Sequence, residues 1–425
     1  MTRAFLLCAV LAALSVNAAS RMDRTRFQIG VFGYGDRFKD EACVKELKDC
    51  GIDYVYGVPV MMRSVLDNLA KYGIGCAADK AIPKPWGACT RKAELLEGDV
   101  DARFAAALEE FKAKWDHPAI WMFDFCDEPN AVDMPDIGRQ VGRVRAACPD
   151  IPAYVNLLPN YALAAENSTK QVESQLGTSN YVEHVAAYDR CVPLDFLSFD
   201  NYPYCDNREK SLGRVERLHD NFRIAADVCR RSGRSLWFVP QANARPTCQK
   251  MTLNKMRFQA YLAMAYGAES LTWACWYPRW WDHNVYGRDG ARDDEVYEWL
   301  KTVNAEIHAV SPQFMRYRNT RTDRIGTGGT ATRYDDGFFR NLKATDGSAL
   351  TVGGMVGRNG NGRAVFICAS ADPWGEDTAV RTVTFECSEK ASAWNAQGPA
   401  KVVRTKSGVQ AVRLTDSQFV FVYLP

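Results

Sequence analysis

The sequence predicts a (β/α)8 barrel followed by a smaller all-β sandwich. Eight short apolar runs alternate with amphipathic stretches between residues 27 and 310. Strands that are apolar on both faces, each followed by a helix, are typical of a parallel sheet covered by helices. Eight such units match the count and size of a (β/α)8 barrel. After Pro312 the helical periodicity ends, and glycine-rich turns separate the short β-type runs AVFICAS, RTVTFEC, AVRLT and FVFVYLP, which predicts the sandwich.

The strands follow in order along the chain. The predicted barrel strands are residues 27–35, 53–60, 73–79, 119–125, 153–158, 195–202, 236–242 and 271–277. We place the barrel at 20–312 and the sandwich at 313–425. A doubly wound open sheet is the alternative fold, but GVFGYGD after the first strand lacks the GxGxxG spacing of a phosphate loop.

Residues 1–19 predict a secretory signal peptide. They contain one arginine, an apolar stretch and small residues near the end, which is the pattern that signal peptidase recognises. The apolar stretch is too short to span a bilayer comfortably. We therefore expect an exported protein, periplasmic or extracellular, without a transmembrane segment.

Composition and motifs exclude several function classes. The formal net charge is +2 with no basic block, so no nucleic-acid partner is expected. The 14 cysteines are scattered without a CxxC pair, and one histidine lies near the strand ends, so we predict no metal site. No GxSxG elbow of an esterase is present. No cofactor is implied, and the oligomeric state does not follow from the sequence.

Polar and aromatic residues gather at the ends of the predicted strands, where the chemistry of such barrels lies. They are Tyr34, Asp36, Asp79, Lys80, Asp124, Asp127, Glu128, Asn156, Asp200, Asn201, Tyr202, Tyr204, Gln241, Asn243, Trp273, Trp276, Tyr277, Trp280, Trp281, Asp282 and His283. Adjacent acids at the tip of a buried strand are costly unless they are used. Cleavage of a glycosidic bond needs a proton donor and a second carboxylate, so this inventory predicts a carbohydrate site.

Simpler roles compete with these assignments. The Asp127–Glu128 pair could complement the start of the next helix. Asp200 could form the turn in DNYP. The tryptophans, Trp273 above all, could be core residues.

The segments FDFCDEPN, DNYPY and FVPQA…FQAYLAMAYGA resemble the retaining (β/α)8 glycoside hydrolases, in particular exported proteins related to β-galactosidase-like members. The resemblance covers roughly 26–310, and the C-terminal β-sandwiches of such proteins resemble 313–425. It implies that Glu128 is the acid/base residue. The same family carries its nucleophilic glutamate at the end of the seventh strand, where this sequence has Gln241.

Because a carboxamide cannot form the usual covalent glycosyl ester, four possibilities stay open. Asp200, or else Asp282, could be the nucleophile. The reaction could be inverting, with Asp200 activating water. An acetamido group of the substrate could attack. The barrel could have lost hydrolysis and act as a glycan-binding protein.

The preferred hypothesis is an exported glycoside hydrolase acting on an oligosaccharide or polysaccharide. Glu128 is the proton donor, its pKa raised by apolar neighbours and nearby acids, and Asp200 is the second carboxylate. The expected substrate-binding residues are Asp124, Asp127, Asn156, Tyr202, Gln241, Trp276, Trp280, Trp281 and Asp282.

Overall fold

The computed structural model consists of a closed barrel of eight parallel strands followed by two antiparallel sheets. It describes residues 20–33, 35–84, 99–165, 174–205, 207–242, 250–278, 284–369, 374, 379–405, 407–415 and 418–424. The predicted fold class, a (β/α)8 barrel with a β-sandwich, is confirmed. The predicted signal peptide at 1–19 lies outside the described residues.

The barrel strands pair in chain order, and β1 closes the ring against β8. They are β1 Gln28–Phe32, β2 Tyr54–Pro59, β3 Gly75–Asp79, β4 Ile120–Asp127, β5 Ala153–Leu157, β6 Phe196–Asp200, β7 Ser235–Val239 and β8 Ala268–Trp273. The helices are α1 Glu41–Asp49, α2 Arg63–Lys71, α3 Val100–Glu110, α4 Met134–Ala147, α5 Tyr181–Cys191, α6 Arg208–Ser232, α7 Leu253–Ala265 and α8 Asp294–Phe314. Each predicted strand overlaps an observed one.

Local sequence signals explain where these elements begin and end. The side chains of Asn207 and Thr252 accept a backbone N–H in the first turn of α6 and of α7, which satisfies a donor that would otherwise lack a partner. Gly233 ends α6 at φ 73°, a conformation that suits glycine. Within the described residues, no helix is long and apolar enough to cross a membrane.

Aromatic side chains fill much of the barrel interior. The Tyr54 ring lies against Gly30, where an added Cβ would come within 2.2 Å of it. Its hydroxyl bonds Ser270 at 3.0 Å and Thr272 at 2.6 Å. The interior between these strands is therefore packed, and in barrels of this kind the chemistry lies at the carboxyl ends of the strands.

The sandwich begins just after α8. Its strands are β9 Tyr317–Ile325, β10 Arg340–Ala344, β11 Leu350–Gly357, β12 Arg363–Ala369, β13 Arg381–Glu386, β14 Ser392–Asn395, β15 Gly398–Ala400, β16 Val403–Arg404, β17 Val409–Leu414 and β18 Phe419–Leu424. One sheet has the order β10-β13-β17-β16, and the other has the order β15-β14-β18-β12-β11-β9. A separate apolar core lies in this module.

The sandwich packs against the last helices of the barrel. The Tyr261 ring of α7 lies 4.5 Å from that of Phe419. The carbonyl of Ala265 accepts hydrogen bonds from Asn319 at 3.1 Å and Thr322 at 3.0 Å. Trp374, from the connection after β12, contacts the Tyr204 ring beyond β6 at 5.8 Å. The sandwich therefore braces both the barrel wall and the segment that follows β6.

Candidate active site

The end of β4 presents two adjacent acids at the barrel mouth. Strand β4 includes Asp127 and stops before Glu128 and Pro129, because proline has no N–H for the strand ladder. The backbone N–H of Glu128 still donates to the carbonyl of Asn156 at 2.8 Å. Glu128 has φ 50°, a left-handed conformation that costs a residue with a side chain about 1–3 kcal/mol. Such a cost marks the position as a functional candidate.

A third acid joins this pair from the end of β6. The amide nitrogen Nδ2 of Asn156 lies 3.3 Å from Asp127 Oδ1 and 3.3 Å from Asp200 Oδ1. Asp200 is only 4% exposed. Burial raises its pKa well above the usual value, and the charges of Glu128 and Asp127 raise that pKa further. We call Asp127, Glu128 and Asp200 the acid cluster.

Tyrosines surround the acid cluster. The backbone N–H of Tyr202 donates to the Tyr161 hydroxyl at 3.2 Å. Burial raises the pKa values of both phenols, and the charge of Asp200 raises them further. The Arg214 guanidinium lies 5.4 Å from the Tyr161 ring. Sequence reasoning missed Tyr161; it follows the fifth strand in LLPNY, and extending the inventory a few residues past Asn156 would have found it.

Asp124 lies deeper than the acid cluster and has a cation as partner. Its Oδ1 accepts a hydrogen bond from the Tyr56 hydroxyl at 2.5 Å, and its other oxygen pairs with Lys84. Lys84 also pairs with Asp79 at 2.8 Å. Burial raises the pKa of Asp124, and Lys84 opposes that effect. Both oxygens of Asp124 are engaged, which favours a structural role; Lys84 and Tyr56 were not predicted.

Gln241 occupies the position of the expected nucleophile but faces the protein interior. It is fully buried. Its Oε1 accepts from the backbone N–H of Tyr204 at 3.0 Å, and its Nε2 donates to the carbonyl of Tyr204 at 2.9 Å. The amide of Gln259 in turn holds the backbone of Gln241. Both ends of the Gln241 amide are thus bonded to the backbone of Tyr204, and its contact with a sugar stays a prediction.

Trp276, after β8, was predicted to bind substrate. It is fully buried, and its ring lies 6.0 Å from the rings of both Tyr286 and Tyr297. The Trp276 ring therefore packs on α8 and the segment before it, and its contact with substrate stays a prediction. Other predicted site residues, Tyr34, Asn243, Trp280, Trp281, Asp282 and His283, lie outside the described residues.

The acid cluster can supply acid–base chemistry by itself. When like charges lie close together in a buried site, one of them tends to keep its proton. The cluster therefore offers a protonated carboxyl group beside charged ones, as glycosidic cleavage requires. In the part of the chain that the structure describes, no group of three or more His, Cys, Asp or Glu side chains is arranged to hold a metal ion.

Comparison with known proteins gives structural neighbours only. No protein-family model matches the chain, and no curated protein sequence matches it. A cold-adapted β-galactosidase from a Rahnella species is 14% identical, with 70% of this chain and 58% of that chain covered and a TM-score of 0.47. A β-galactosidase from the psychrophilic Marinomonas ef1 is 12% identical, with 68% and 61% covered and a TM-score of 0.46.

A third neighbour covers both domains. It is a catalytic mutant of Gan42B, a β-galactosidase of G. stearothermophilus, 8% identical over 95% of this chain and 99% of that chain, with a TM-score of 0.44. This chain thus spans about three fifths of the first two proteins and almost all of the third. The neighbours are glycoside hydrolases, the class that the sequence resembles. At these identities and TM-scores the neighbours support no statement about the activity of this chain.

Proposed function

We propose that the protein is an exported glycoside hydrolase whose reaction takes place at the acid cluster. The observation that supports this most directly is the convergence of Asp127 and Asp200 on the amide of Asn156, with the charge of Glu128 acting on Asp200. Three acids at the open end of a barrel are unfavourable for stability. They give a reaction both a protonated and a charged carboxyl group.

In this proposal the carboxyl groups of the acid cluster share a proton. In the complex with substrate Glu128 carries that proton and gives it to the leaving oxygen, while Asp200, then charged, attacks the anomeric carbon or activates water. Asp127 holds the other side of the Asn156 amide and binds substrate hydroxyls. Tyr202 and Tyr161 border the same space. Export rests on the predicted signal at residues 1–19, and the substrate is a glycan outside the cytoplasm.

The first experiment is a hydrolysis screen. The chain without residues 1–19 is incubated with a panel of aryl glycosides and natural glycans, beside the Glu128→Gln variant. Glu109→Gln, which changes an exposed glutamate of α3, is the matched control. Turnover that Glu128→Gln abolishes and Glu109→Gln retains would support the proposal. Turnover that survives Glu128→Gln would refute the assignment of the proton donor.

One observation favours a second candidate function, a glycan-binding protein without catalysis. After β7 the chain has Gln241, a carboxamide bonded at both ends to the backbone of Tyr204, where the resembled family has a glutamate. A carboxamide cannot carry out the usual covalent mechanism at that position. Calorimetric titration with the same glycans separates the two candidates. Tight binding without turnover, unaffected by Glu128→Gln, would favour the binding protein.

A further inference from the structure

Three buried polar side chains form a hydrogen-bond chain that ends at the acid cluster. The Tyr154 hydroxyl lies 2.7 Å from Ser198 Oγ, and Ser198 Oγ lies 2.9 Å from Asn156 Oδ1. Tyr154 and Ser198 are fully buried, and Asn156 is 2% exposed. We call these three residues the hydroxyl chain. It connects the barrel interior to the amide that holds Asp127 and Asp200.

The hydroxyl chain has one direction. A serine hydroxyl carries a single proton, and that of Ser198 is donated to Asn156 Oδ1. Ser198 Oγ must therefore accept its other hydrogen bond, from the Tyr154 hydroxyl. With Oδ1 fixed in this way, both N–H groups of Asn156 face the acids. A flipped amide would place Oδ1 against the charged carboxylate of Asp127, which is repulsive.

The far end of the hydroxyl chain is held rigidly. The Tyr154 ring packs between aromatic rings of β2 and of the neighbouring strands, 4.9 Å from Tyr56, 6.0 Å from Phe196 and 6.1 Å from Trp237. Phe196 and Trp237 stack on each other at 4.1 Å. This wall fixes the position of the phenol oxygen, which also bonds the Thr272 hydroxyl.

We propose that Asn156 is a positioning residue, whose amide is aimed at Asp127 and Asp200 by the hydroxyl chain from Tyr154 through Ser198. This inference rests on the proposed function and deepens it, since it assigns Asn156 to the acids and not to sugar hydroxyls. At 2% exposure the side chain has almost no surface left for a sugar. It acts on the reaction through the two carboxyl groups.

The position of the Asn156 amide influences which carboxyl group of the acid cluster holds the proton. An N–H that donates to a carboxyl oxygen favours its charged form, so Asn156 opposes the burial and like charges that favour protonation of Asp200. Among the described residues, the ionisable groups whose fields act around Asp200 include Asp127 at the end of β4, Glu128 after it, Tyr161 after β5, Tyr181 on α5, Tyr202 after β6, Arg214 on α6 and Cys275 after β8. Removing the hydroxyl chain changes none of these charges.

Infrared titration of the carboxyl carbonyl band tests the proposal without a substrate. The band that Asp200→Asn removes from the wild-type spectrum belongs to Asp200. In Ser198→Ala, the midpoint of that band is expected to move upward by about 0.5–1 pH unit, since the amide loses the anchor that aims it. Tyr154→Phe is expected to give a smaller shift in the same direction.

The control is Tyr188→Phe, which removes a buried phenol hydroxyl that bonds the backbone carbonyl of Phe196 at 2.8 Å, outside the hydroxyl chain. It should leave the midpoint unchanged. If Ser198→Ala and Tyr154→Phe also leave it unchanged, the inference is wrong. Tyr154→Phe keeps the test decisive if Ser198→Ala does not fold. If the midpoint shifts in the infrared titration but the hydrolysis screen finds no turnover, Asn156 is a positioning residue and the proposed function is wrong.

Discussion

The two halves of the barrel mouth differ in how their polar groups are satisfied. On the side of β4 to β6, Asp200 is buried among like charges, and Glu128 has a left-handed backbone. On the side of β7 and β8, Gln241 is bonded at both ends to the backbone of Tyr204, and Trp276 is packed in the core. Proteins tend to keep such unfavourable arrangements only where they are used. Under the proposed function, the first side carries the chemistry, and the described residues of the second side support the wall of the mouth.

The largest expected effect is the loss of activity in Asp200→Asn. On a substrate found in the screen, kcat/KM should fall by about 10²–10⁴-fold, which is the usual contribution of an acid–base group. The control is Asp195→Asn, just before the other end of β6, where the carboxylate is exposed and pairs with Arg24. If Asp200→Asn and Asp195→Asn have equal activity, the β4 to β6 side of the mouth does not carry the chemistry through Asp200.

The supporting side is tested by Gln241→Glu. A carboxylate cannot donate to the carbonyl of Tyr204, so the free energy of unfolding should fall by about 1–3 kcal/mol, and no activity should be gained. Gln410→Glu in the sandwich is the matched control, because Gln410 is fully buried and also accepts from one backbone N–H and donates to one backbone carbonyl. A gain of turnover in Gln241→Glu alone would show that this side can do chemistry.

A smaller effect is expected in the pH dependence of stability. In the folded protein the pKa of Asp200 is raised above its usual 3.8. The protonated carboxyl group therefore contributes stability that is fully present below pH 3.8. This contribution is lost as the pH rises through the folded pKa. As the pH rises from about 4, Asp200→Asn should therefore lose less stability than the wild type. Chemical denaturation at several pH values measures this difference.

Asp116 provides the opposite sign as a control. Its pKa is lowered because Arg21 bonds it at 2.8 Å, so its charged form stabilises the fold above its usual pKa of 3.8 and that contribution is lost as the pH falls. Asp116→Asn should then lower stability at neutral pH by less than about 1 kcal/mol, because the pair is partly exposed. Variants of Asp200 and Asp116 that respond in the same direction would contradict these electrostatics.

The barrel was predictable because its strands are buried on both faces and read as short apolar runs. All eight predicted runs overlap the strands of the closed barrel. The sandwich was less predictable: AVFICAS, RTVTFEC, AVRLT and FVFVYLP correspond to β12, β13, β17 and β18, whereas β9 to β11 and β14 to β16 were not predicted. Strand β9, YRNTRTDRI, is polar and mostly open to solvent, and β11, LTVGGMVG, contains paired glycines, so neither resembles a core strand.

The candidate site was predictable where strand order alone brings residues together. Asp127, Asn156 and Asp200 end three consecutive strands, so the closed barrel places them side by side. Side-chain direction was not predictable, since Gln241 and Trp276 follow their strands, where the backbone leaves strand geometry and the alternation of faces no longer applies. The partner of Asp124, Lys84, was also missed because it comes from a connection, whose path depends on tertiary packing.

The most direct test of the central claim, that the acid cluster cleaves glycosidic bonds with Glu128 as proton donor, is the leaving-group dependence of Glu128→Gln. A dinitrophenolate leaves without a proton, whereas a sugar hydroxyl needs one. We predict a loss of about 10²–10⁴-fold on the natural glycan and of less than about 10-fold on the dinitrophenyl glycoside of the same sugar. Equal losses on both substrates would contradict the account.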